Sequence, residues 1–448
     1  MIFSIFIFYD KESFQRDDLL FFYFIYIVVG LSNILISTRL TSWDKVIGWS
    51  FFLYSISIPV YILSNGKVEQ WFNMSIPYFE IYDIKLNTQF LLLCIIFLSC
   101  FYMGFAILNG SKVIEPPRNN FQKRYNYKYS RIFLAFWIFL CFGIFLIGIL
   151  KINYISALSG SYSLKNTGYI YLFSGVFGLD IGLLILMGLS NFKRKYVIFS
   201  ILIHLIILPL GIRQITLTFI FQVMLLYIFV KKINIRMYIK KYFAPLILIF
   251  WSFGIIGDLR SKVNYELTLI DVLIGPIKFY MFETTFNGIS ILKMLNIINH
   301  INIEYIYGKS FIDPFVALVP SFIMPNKNEY NSFENFIIKY SHYENLKPVG
   351  TAHLLTELLA NGGVVFIVVF AFLLGIISFV LQIKTEAFIK SNNILGLIFI
   401  SSIIPYFLIQ LNRGGLDILI KLIFQFSILP ILIVFLFRKR SLLQKHKI

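Results

Sequence analysis

The chain has 448 residues, of which 58% are hydrophobic and 14% are charged, and its formal net charge is +18. The apolar residues form uninterrupted runs close to the roughly 20 residues that a helix needs to cross a bilayer, which excludes an ordinary soluble domain. The basic residues lie in short stretches between these runs, as topology signals do, so we expect a membrane protein with no nucleic-acid partner.

The apolar runs predict an all-α polytopic integral membrane protein with about eleven transmembrane helices, within a range of roughly 10 to 13. A further apolar fragment, Met1 to Tyr9, is too short to span alone and leaves the side of the N-terminus open. The predicted spans are 18–37, 47–64, 88–108, 131–150, 169–189, 196–211, 214–230, 242–258, 363–382, 393–411 and 415–437.

The charge divides between the two sides of this predicted topology. Arg131 and the alternate connections at 38–46, 109–130, 190–195, 231–241, 383–392 and 438–448 together carry 23 Lys/Arg and 3 Asp/Glu. The rest of the chain carries 17 Lys/Arg and 19 Asp/Glu. The positive-inside rule therefore places the basic side, with the C-terminus, in the cytoplasm.

One connection of about 90 residues, 259–350, then falls on the outer face, with 8 basic and 8 acidic residues. Helix-like stretches at Leu267 to Phe282 and Phe286 to Ile298 predict amphipathic helices on the membrane surface. Prolines make Phe311 to Met324 a poor spanning segment. We thus expect three parts: a bundle of about eight helices at 1–258, an extracytoplasmic loop at 259–350, and C-terminal helices with a basic tail at 351–448.

Several common chemistries lack their motifs in this sequence. No D-x-D or E-x-D spacing occurs, and no zinc motif, so we expect no metal and no cofactor. Gly308-Lys309-Ser310 matches the end of a Walker A motif, but Ile303 stands where that motif has its first glycine. The three cysteines, Cys94, Cys100 and Cys141, lie in apolar runs and are predicted to be buried packing residues.

Three arginines lie at predicted outer helix ends: Arg213 and Arg413 in short glycine-containing turns, and Arg260 just after Asp258. A guanidinium group binds phosphate oxygens in a bidentate way, so their convergence predicts a phosphate site. The alternative is that each arginine reaches separately to lipid headgroups.

His353 and Glu357 lie four residues apart where the chain re-enters the membrane, ahead of Asn361 and the pair Gly362-Gly363. Their shared helix face predicts a catalytic pair in which one side chain is the base for a hydroxyl group. A structural hydrogen bond is the other interpretation, and the glycines fit a helix-packing notch.

Ionisable residues also occur within or near the predicted spans. Asp180 has no oppositely charged residue near it in the sequence, so we expect it to pair with one of the arginines. Asp417 and Lys421 are four residues apart and are expected to neutralise each other. Glu283 in the long loop is a weaker candidate for the base.

The order of these parts resembles the bacterial oligosaccharide repeat-unit polymerases of the O-antigen polymerase (Wzy) type. The resemblance rests on the Arg213 turn, the segment from Tyr305 through Tyr307 to Phe311, Pro320 and Pro325, His353 to Gly363, and the turn with Arg413. It covers roughly Gly211 to Leu436, about half of the chain.

The resemblance implies a GT-C-like architecture in the bacterial inner membrane and metal-independent glycosyl transfer from undecaprenyl-diphosphate-linked repeat units, building an O-antigen or capsule. Arg213, Arg260 and Arg413 would bind the diphosphate. That His353 or Glu357 is the base is inferred from their spacing and not from the resemblance, and the candidate supporting residues are Asp180, Asp258, Glu283, Tyr307 and Asn361. The partners implied are membrane lipid, a chain-length regulator and a flippase.

A polysaccharide ligase, a lipid-linked oligosaccharide flippase and a solute transporter remain alternatives. The long outer loop argues against a flippase, and the missing internal repeat argues against a transporter. A ligase is hard to separate from a polymerase by sequence.

Overall fold

The structure is a computed structural model that describes residues 13–36, 42–64, 67, 78–109, 128–152, 167–208, 213–233, 247–248, 251–252, 269–319, 323–347, 352–413 and 415–445. Within these ranges the chain forms helices and no β-strand, which confirms the predicted all-α class. Arg260, Asp258 and most of the predicted span at 242–258 lie outside the described residues.

The described α-helices are α1 Arg16–Ile36, α2 Trp43–Ser55, α3 Ile58–Leu63, α4 Ile84–Asn109, α5 Lys128–Lys151, α6 Thr167–Leu189, α7 Arg194–Ile207, α8 Arg213–Lys231, α9 Leu269–His300, α10 Asp313–Leu318, α11 Ser332–Tyr340, α12 Leu354–Lys390, α13 Ile394–Gln410, α14 Gly415–Ile423 and α15 Leu429–Lys445. A π-helical turn, Phe424–Ile428, joins α14 to α15. Short 3₁₀ turns precede α4, α10 and α11.

Seven segments of the described chain are long and apolar enough to cross a membrane: Trp43–Leu63, Ile84–Leu108, Arg131–Lys151, Tyr171–Leu189, Gln214–Lys231, Leu354–Lys390 and Ile418–Phe437. Each of them overlaps a span predicted from the sequence. The chain is therefore a polytopic helical membrane protein. The total of about eleven spans stays a prediction, as does the GT-C-like architecture.

The chain forms two compact units, each assembled from separated stretches. Unit 1 comprises Met1–Ile114, Lys278–Ile383 and Phe407–Lys421, and unit 2 comprises Glu115–Ile277, Lys384–Tyr406 and Leu422–Ile448. The contiguous division at 1–258, 259–350 and 351–448 remains a prediction.

Close backbone contacts join helices within unit 1. A Cβ added at Gly104 in α4 would lie 2.1 Å from the carbonyl oxygen of Phe372 in α12. The absence of a side chain at Gly104 thus allows the two helices to approach, as small residues do between membrane helices. Phe51 of α2 stacks on Phe97 of α4 with ring centroids 4.1 Å apart.

A single helix, α9, occupies the part of the long connection in which the sequence predicted two helix-like stretches. α9 is continuous over 32 residues. The Tyr280 hydroxyl donates a hydrogen bond to the Leu53 carbonyl, and the Thr284 hydroxyl donates to Ser57 Oγ at 2.7 Å. α9 thus packs against the candidate span Trp43–Leu63, and the described parts of the two predicted helix-like stretches belong to one continuous helix. Its place at the membrane surface stays a prediction.

A second helix of the connection does have the predicted amphipathic pattern. α11 buries Phe333, Phe336, Ile337 and Tyr340, which share one helix face. Its N-cap Asn331 accepts a hydrogen bond from the Glu334 amide at 2.9 Å. In the described part of the proline-containing run before it, α10 has six residues, far fewer than a helix needs to cross a bilayer.

Candidate functional site

α12 is interrupted near its start by Gly362 and Gly363. Their backbone angles are non-helical, and Gly363 has φ 65° and ψ −150°, a region that strongly favours glycine. The carbonyls of Ala360 and Asn361 accept hydrogen bonds from the amides of Ile306 (3.0 Å) and Tyr307 (2.9 Å). Residues 354–361, here called the entry helix, are therefore set off from the spanning part of α12 and joined to the long connection.

His353 immediately precedes the entry helix and is fully buried. Its Nδ1 accepts a hydrogen bond from the Leu355 amide at 3.2 Å, and its own amide donates to Ser290 Oγ at 2.9 Å. The ring packs edge-on against Phe51 with centroids 5.5 Å apart. An accepting Nδ1 places the proton of the neutral ring on Nε2.

Burial lowers the pKa of His353 to about 3, so the ring is neutral near pH 7. Its Nε2 is buried and has no hydrogen-bond partner among the described residues. In this tautomer the ring offers a donor at Nε2, whereas a general base needs a free lone pair. The arrangement thus favours Glu357 over His353 as the base of the predicted pair.

Glu357 connects the entry helix to the turn that carries Arg413. Its side chain is buried, with 1% of the residue surface exposed, and its Oε2 accepts a hydrogen bond from the Leu416 amide at 2.9 Å. Leu416 is the second residue of α14, so the carboxylate also lies at a helix N-terminus, where negative charge is stabilised. Two predicted motifs separated by more than 50 residues meet at this bond.

Hydrogen bonds fix Asn412, which lies in the turn before α14. The buried Asn412 Nδ2 donates to Ser50 Oγ at 3.0 Å, and the Ser50 hydroxyl in turn donates to the Leu408 carbonyl at 2.6 Å. The next residue, Arg413, is half-buried. Arg413 therefore lies between the hydrogen-bonded Asn412 and the Leu416 amide, three residues further on, that binds Glu357.

Asn361, the last residue of the entry helix, is also fixed by hydrogen bonds from its side-chain amide. Its Nδ2 donates to Ser310 Oγ at 2.8 Å and to the Glu357 carbonyl at 2.7 Å. Its Oδ1 is buried without a described hydrogen-bond partner, and so is Oδ1 of Asn412. Buried polar atoms normally have partners, so unsatisfied atoms on the residues that flank Glu357 and Arg413 in the chain mark candidate positions for a polar ligand or water.

The other predicted residues add less to this site. Tyr307 is 74% exposed and has a positive φ of 46°, at the point where its amide bonds to Asn361. Arg213 is the first residue of α8, in unit 2, and the structure describes only its backbone. Glu283 lies in α9, and its side chain is likewise not described. The convergence of the three arginines remains a prediction.

Asp180 has a partner that the sequence did not indicate. Its Oδ1 lies 3.1 Å from Nε2 of His204, whose Nδ1 lies 3.1 Å from the Thr216 hydroxyl. The His204 ring stacks on Phe219 with centroids 4.7 Å apart. The described partner is thus a histidine instead of the expected arginine, and the contacts link α6, α7 and α8 within unit 2. The side chain of Asp417, expected to pair with Lys421, is not described.

A buried ion-pair cluster, also missed by the sequence, ties α9 into unit 1. Lys293 Nζ lies 3.0 Å from Glu80 Oε1 and 2.6 Å from Glu344 Oε2, and Asn296 donates to the other Glu344 oxygen. Desolvation lowers the pKa of Lys293, but the hydrogen bonds and charges of the two carboxylates outweigh it and raise the pKa overall. Part of the balanced charge of the long connection is therefore structural.

The three cysteines are free and buried, which confirms their prediction as packing residues. Among the residues that the structure describes, no group of three or more His, Cys, Asp or Glu side chains could hold a metal ion. Comparison of the chain with protein-family models, with curated proteins and with solved structures finds no match in any of the three.

Proposed function

We propose that the chain is a polymerase that joins undecaprenyl-diphosphate-linked oligosaccharide repeat units into an O-antigen or capsule at the outer face of the bacterial cytoplasmic membrane. The observation that carries the proposal is the buried hydrogen bond from the Leu416 amide to Glu357. It joins a carboxylate that can act as a base to the first turn of α14, the helix that follows Arg413 in the chain.

The proposed reaction is glycosyl transfer with a lipid diphosphate leaving group. A hydroxyl oxygen at the non-reducing end of the incoming repeat unit attacks the anomeric carbon of the growing chain. The bond from that carbon to the diphosphate oxygen breaks, and undecaprenyl diphosphate leaves as an anion. The hydroxyl proton passes to Glu357. The diphosphate leaves as a stable anion, so it needs a nearby positive charge more than it needs a proton. Arg413 supplies that charge.

The proposal assigns three buried polar atoms without described partners to contacts with the bound substrate. His353 Nε2–H can donate to a sugar or phosphate oxygen, and the Oδ1 atoms of Asn361 and Asn412 can accept from sugar hydroxyls. Each atom is buried, so a hydrogen bond made there is stronger than one made in water. That Arg213 and Arg260 also bind the diphosphate stays a prediction from the sequence.

The proposed orientation follows the charge distribution. The basic connections and the C-terminus lie in the cytoplasm, and the connection 259–350 lies outside. Membrane lipid surrounds the protein, a flippase supplies the substrate on the outer face, and a chain-length regulator acts with the polymerase.

The broken helix favours a second candidate, a flippase for the same lipid-linked sugar. Discontinuous membrane helices form the substrate sites of many transporters, and α12 is interrupted at Gly362 and Gly363. The ligase remains the other alternative.

A strain that lacks the gene distinguishes these functions. The proposal predicts surface lipid bearing one repeat unit, whereas loss of a flippase leaves repeats on the inner face and loss of a ligase leaves polymer on its lipid carrier. Complementation with Arg413→Ala should fail to restore polymer, and Arg413→Lys should restore little, because lysine lacks the bidentate fork. Lys339→Ala, in an exposed ion pair, is the control. Full-length polymer with both Arg413 variants would refute the phosphate role.

A further inference from the structure

A groove in unit 2 lies between α5, α6 and α7. Its volume is about 510 Å³, within the roughly 300–1,000 Å³ typical of small-molecule sites. The turn from α6 to α7 reverses the chain through Asn191 and Phe192, both with positive φ. This reversal lays α7 beside the end of α6 and makes one wall of the groove.

The long walls of the groove are apolar. α5 contributes Ile138 and Phe142, α6 contributes Leu183, and α7 contributes Phe199. Ala135 is the small residue in this lining, and it is exposed. Walls of this kind suit a hydrocarbon chain, which makes many weak contacts with aliphatic and aromatic side chains.

Two cations also line the groove, and the helix positions place both at one end. Arg131 lies in the first turn of α5, Lys195 is the second residue of α7, and Leu186 is in the last turn of α6. Both cations are exposed, and Nζ of Lys195 lies 5.0 Å from the centroid of the Tyr196 ring. A basic end on an apolar groove is the pattern by which membrane helices recognise anionic lipid headgroups.

We propose that this groove binds an anionic phospholipid, with the phosphate at Arg131 and Lys195 and an acyl chain along the walls of α5, α6 and α7. The complementarity of charge selects the anionic headgroup, and the apolar length selects a lipid over a soluble phosphate. Because both cations belong to the basic side of the chain, the lipid comes from the cytoplasmic leaflet. The proposal is independent of the glycosyl-transfer chemistry.

The test is native mass spectrometry of the full chain released from detergent, titrated with phosphatidylglycerol or phosphatidylcholine. We expect tighter binding of phosphatidylglycerol, weakened about fivefold by Arg131→Gln or Lys195→Gln, since each cation near a lipid surface contributes about 1 kcal/mol. Arg194→Gln makes the same charge change at an exposed neighbour outside the lining and should leave the affinity unchanged.

Two further arms separate the lipid from a bare phosphate. Ala135→Phe keeps every charge but fills the groove, so it should weaken phosphatidylglycerol binding as well. Glycerol 3-phosphate, which has the phosphate without the chains, should not compete at concentrations that saturate the lipid. Equal affinity for the two lipids, an Arg194→Gln loss as large as that of Lys195→Gln, or competition by glycerol 3-phosphate would each overturn the proposal. The thermal transition of every variant is recorded, and Lys195→Arg, which keeps the charge, should retain the affinity.

Discussion

Substitution of Glu357 separates its structural role from its chemical one. The carboxylate accepts the Leu416 amide at the N-terminus of α14. Glu357→Ala leaves that buried N–H unpaired, at a cost of about 2–3 kcal/mol. Glu357→Gln keeps an acceptor oxygen but loses the charge, at about 1 kcal/mol, because a charge-assisted bond is about twice as strong as a neutral one.

These free energies convert to small shifts in the midpoint of thermal unfolding. With about 2 cal/mol/K of unfolding entropy per residue, a chain of 448 residues shifts by roughly 1 °C per kcal/mol. We expect a shift of about 2–3 °C for Glu357→Ala and about 1 °C for Glu357→Gln. The free, buried thiols of Cys94, Cys100 and Cys141 allow the assay, because a thiol-reactive fluorogenic dye labels them only as the fold opens.

The two variants should differ in stability, but neither should form polymer. As the base, Glu357 is required for polymer formation, so Glu357→Gln should abolish polymer although its fold is nearly intact. Near-normal polymer with Glu357→Gln, together with poor polymer from the unstable Glu357→Ala, would show that the residue only caps α14. That result would refute the reasoning.

Two further predictions concern the supports of the site, each read from the same thermal assay. Gly363→Ala should cost about 1–3 kcal/mol, because φ 65° is strained for alanine, whereas Gly143→Ala, whose added Cβ meets nothing within 4 Å, should cost nothing. An unchanged midpoint for Gly363→Ala would contradict the helix break. Lys293→Met should cost about 3–5 kcal/mol by leaving two carboxylates without their cation, whereas the exposed Lys339→Met should have no measurable effect. Equal effects of the two lysine variants would argue against a buried cluster.

The membrane-spanning helices could be predicted because their signal is local. A run of about 20 apolar residues has few alternatives to a helix across a bilayer. The burial of Cys94, Cys100 and Cys141 follows from the same runs. Only the order of the motifs suggested that Glu357 and Arg413 belong to one site. The hydrogen bond from the Leu416 amide to Glu357 could not be predicted, because no sequence pattern marks a backbone amide as a partner.

Other features depend on contacts between distant segments. The sequence suggested a packing notch at Gly362 and Gly363. The break is shown by their non-helical backbone angles and by the amides of Ile306 and Tyr307, which bond to the carbonyls just before them. The pairing of Asp180 with His204 spans two helices whose relative rotation the sequence does not specify. A continuous α9 was missed because its buried face accommodates polar side chains through hydrogen bonds to α2 and to the residue before α3.

Glycosyl transfer by this protein can be measured with the purified full chain in liposomes that contain undecaprenyl-diphosphate-linked repeat units. Glycosyl transfer requires that each new linkage release one undecaprenyl diphosphate, so both products are measured over time. The account predicts polymer with one released lipid diphosphate per linkage, and neither product with Glu357→Gln. Movement of the intact lipid-linked units across the bilayer without any linkage or release would contradict it and assign the chain to transport.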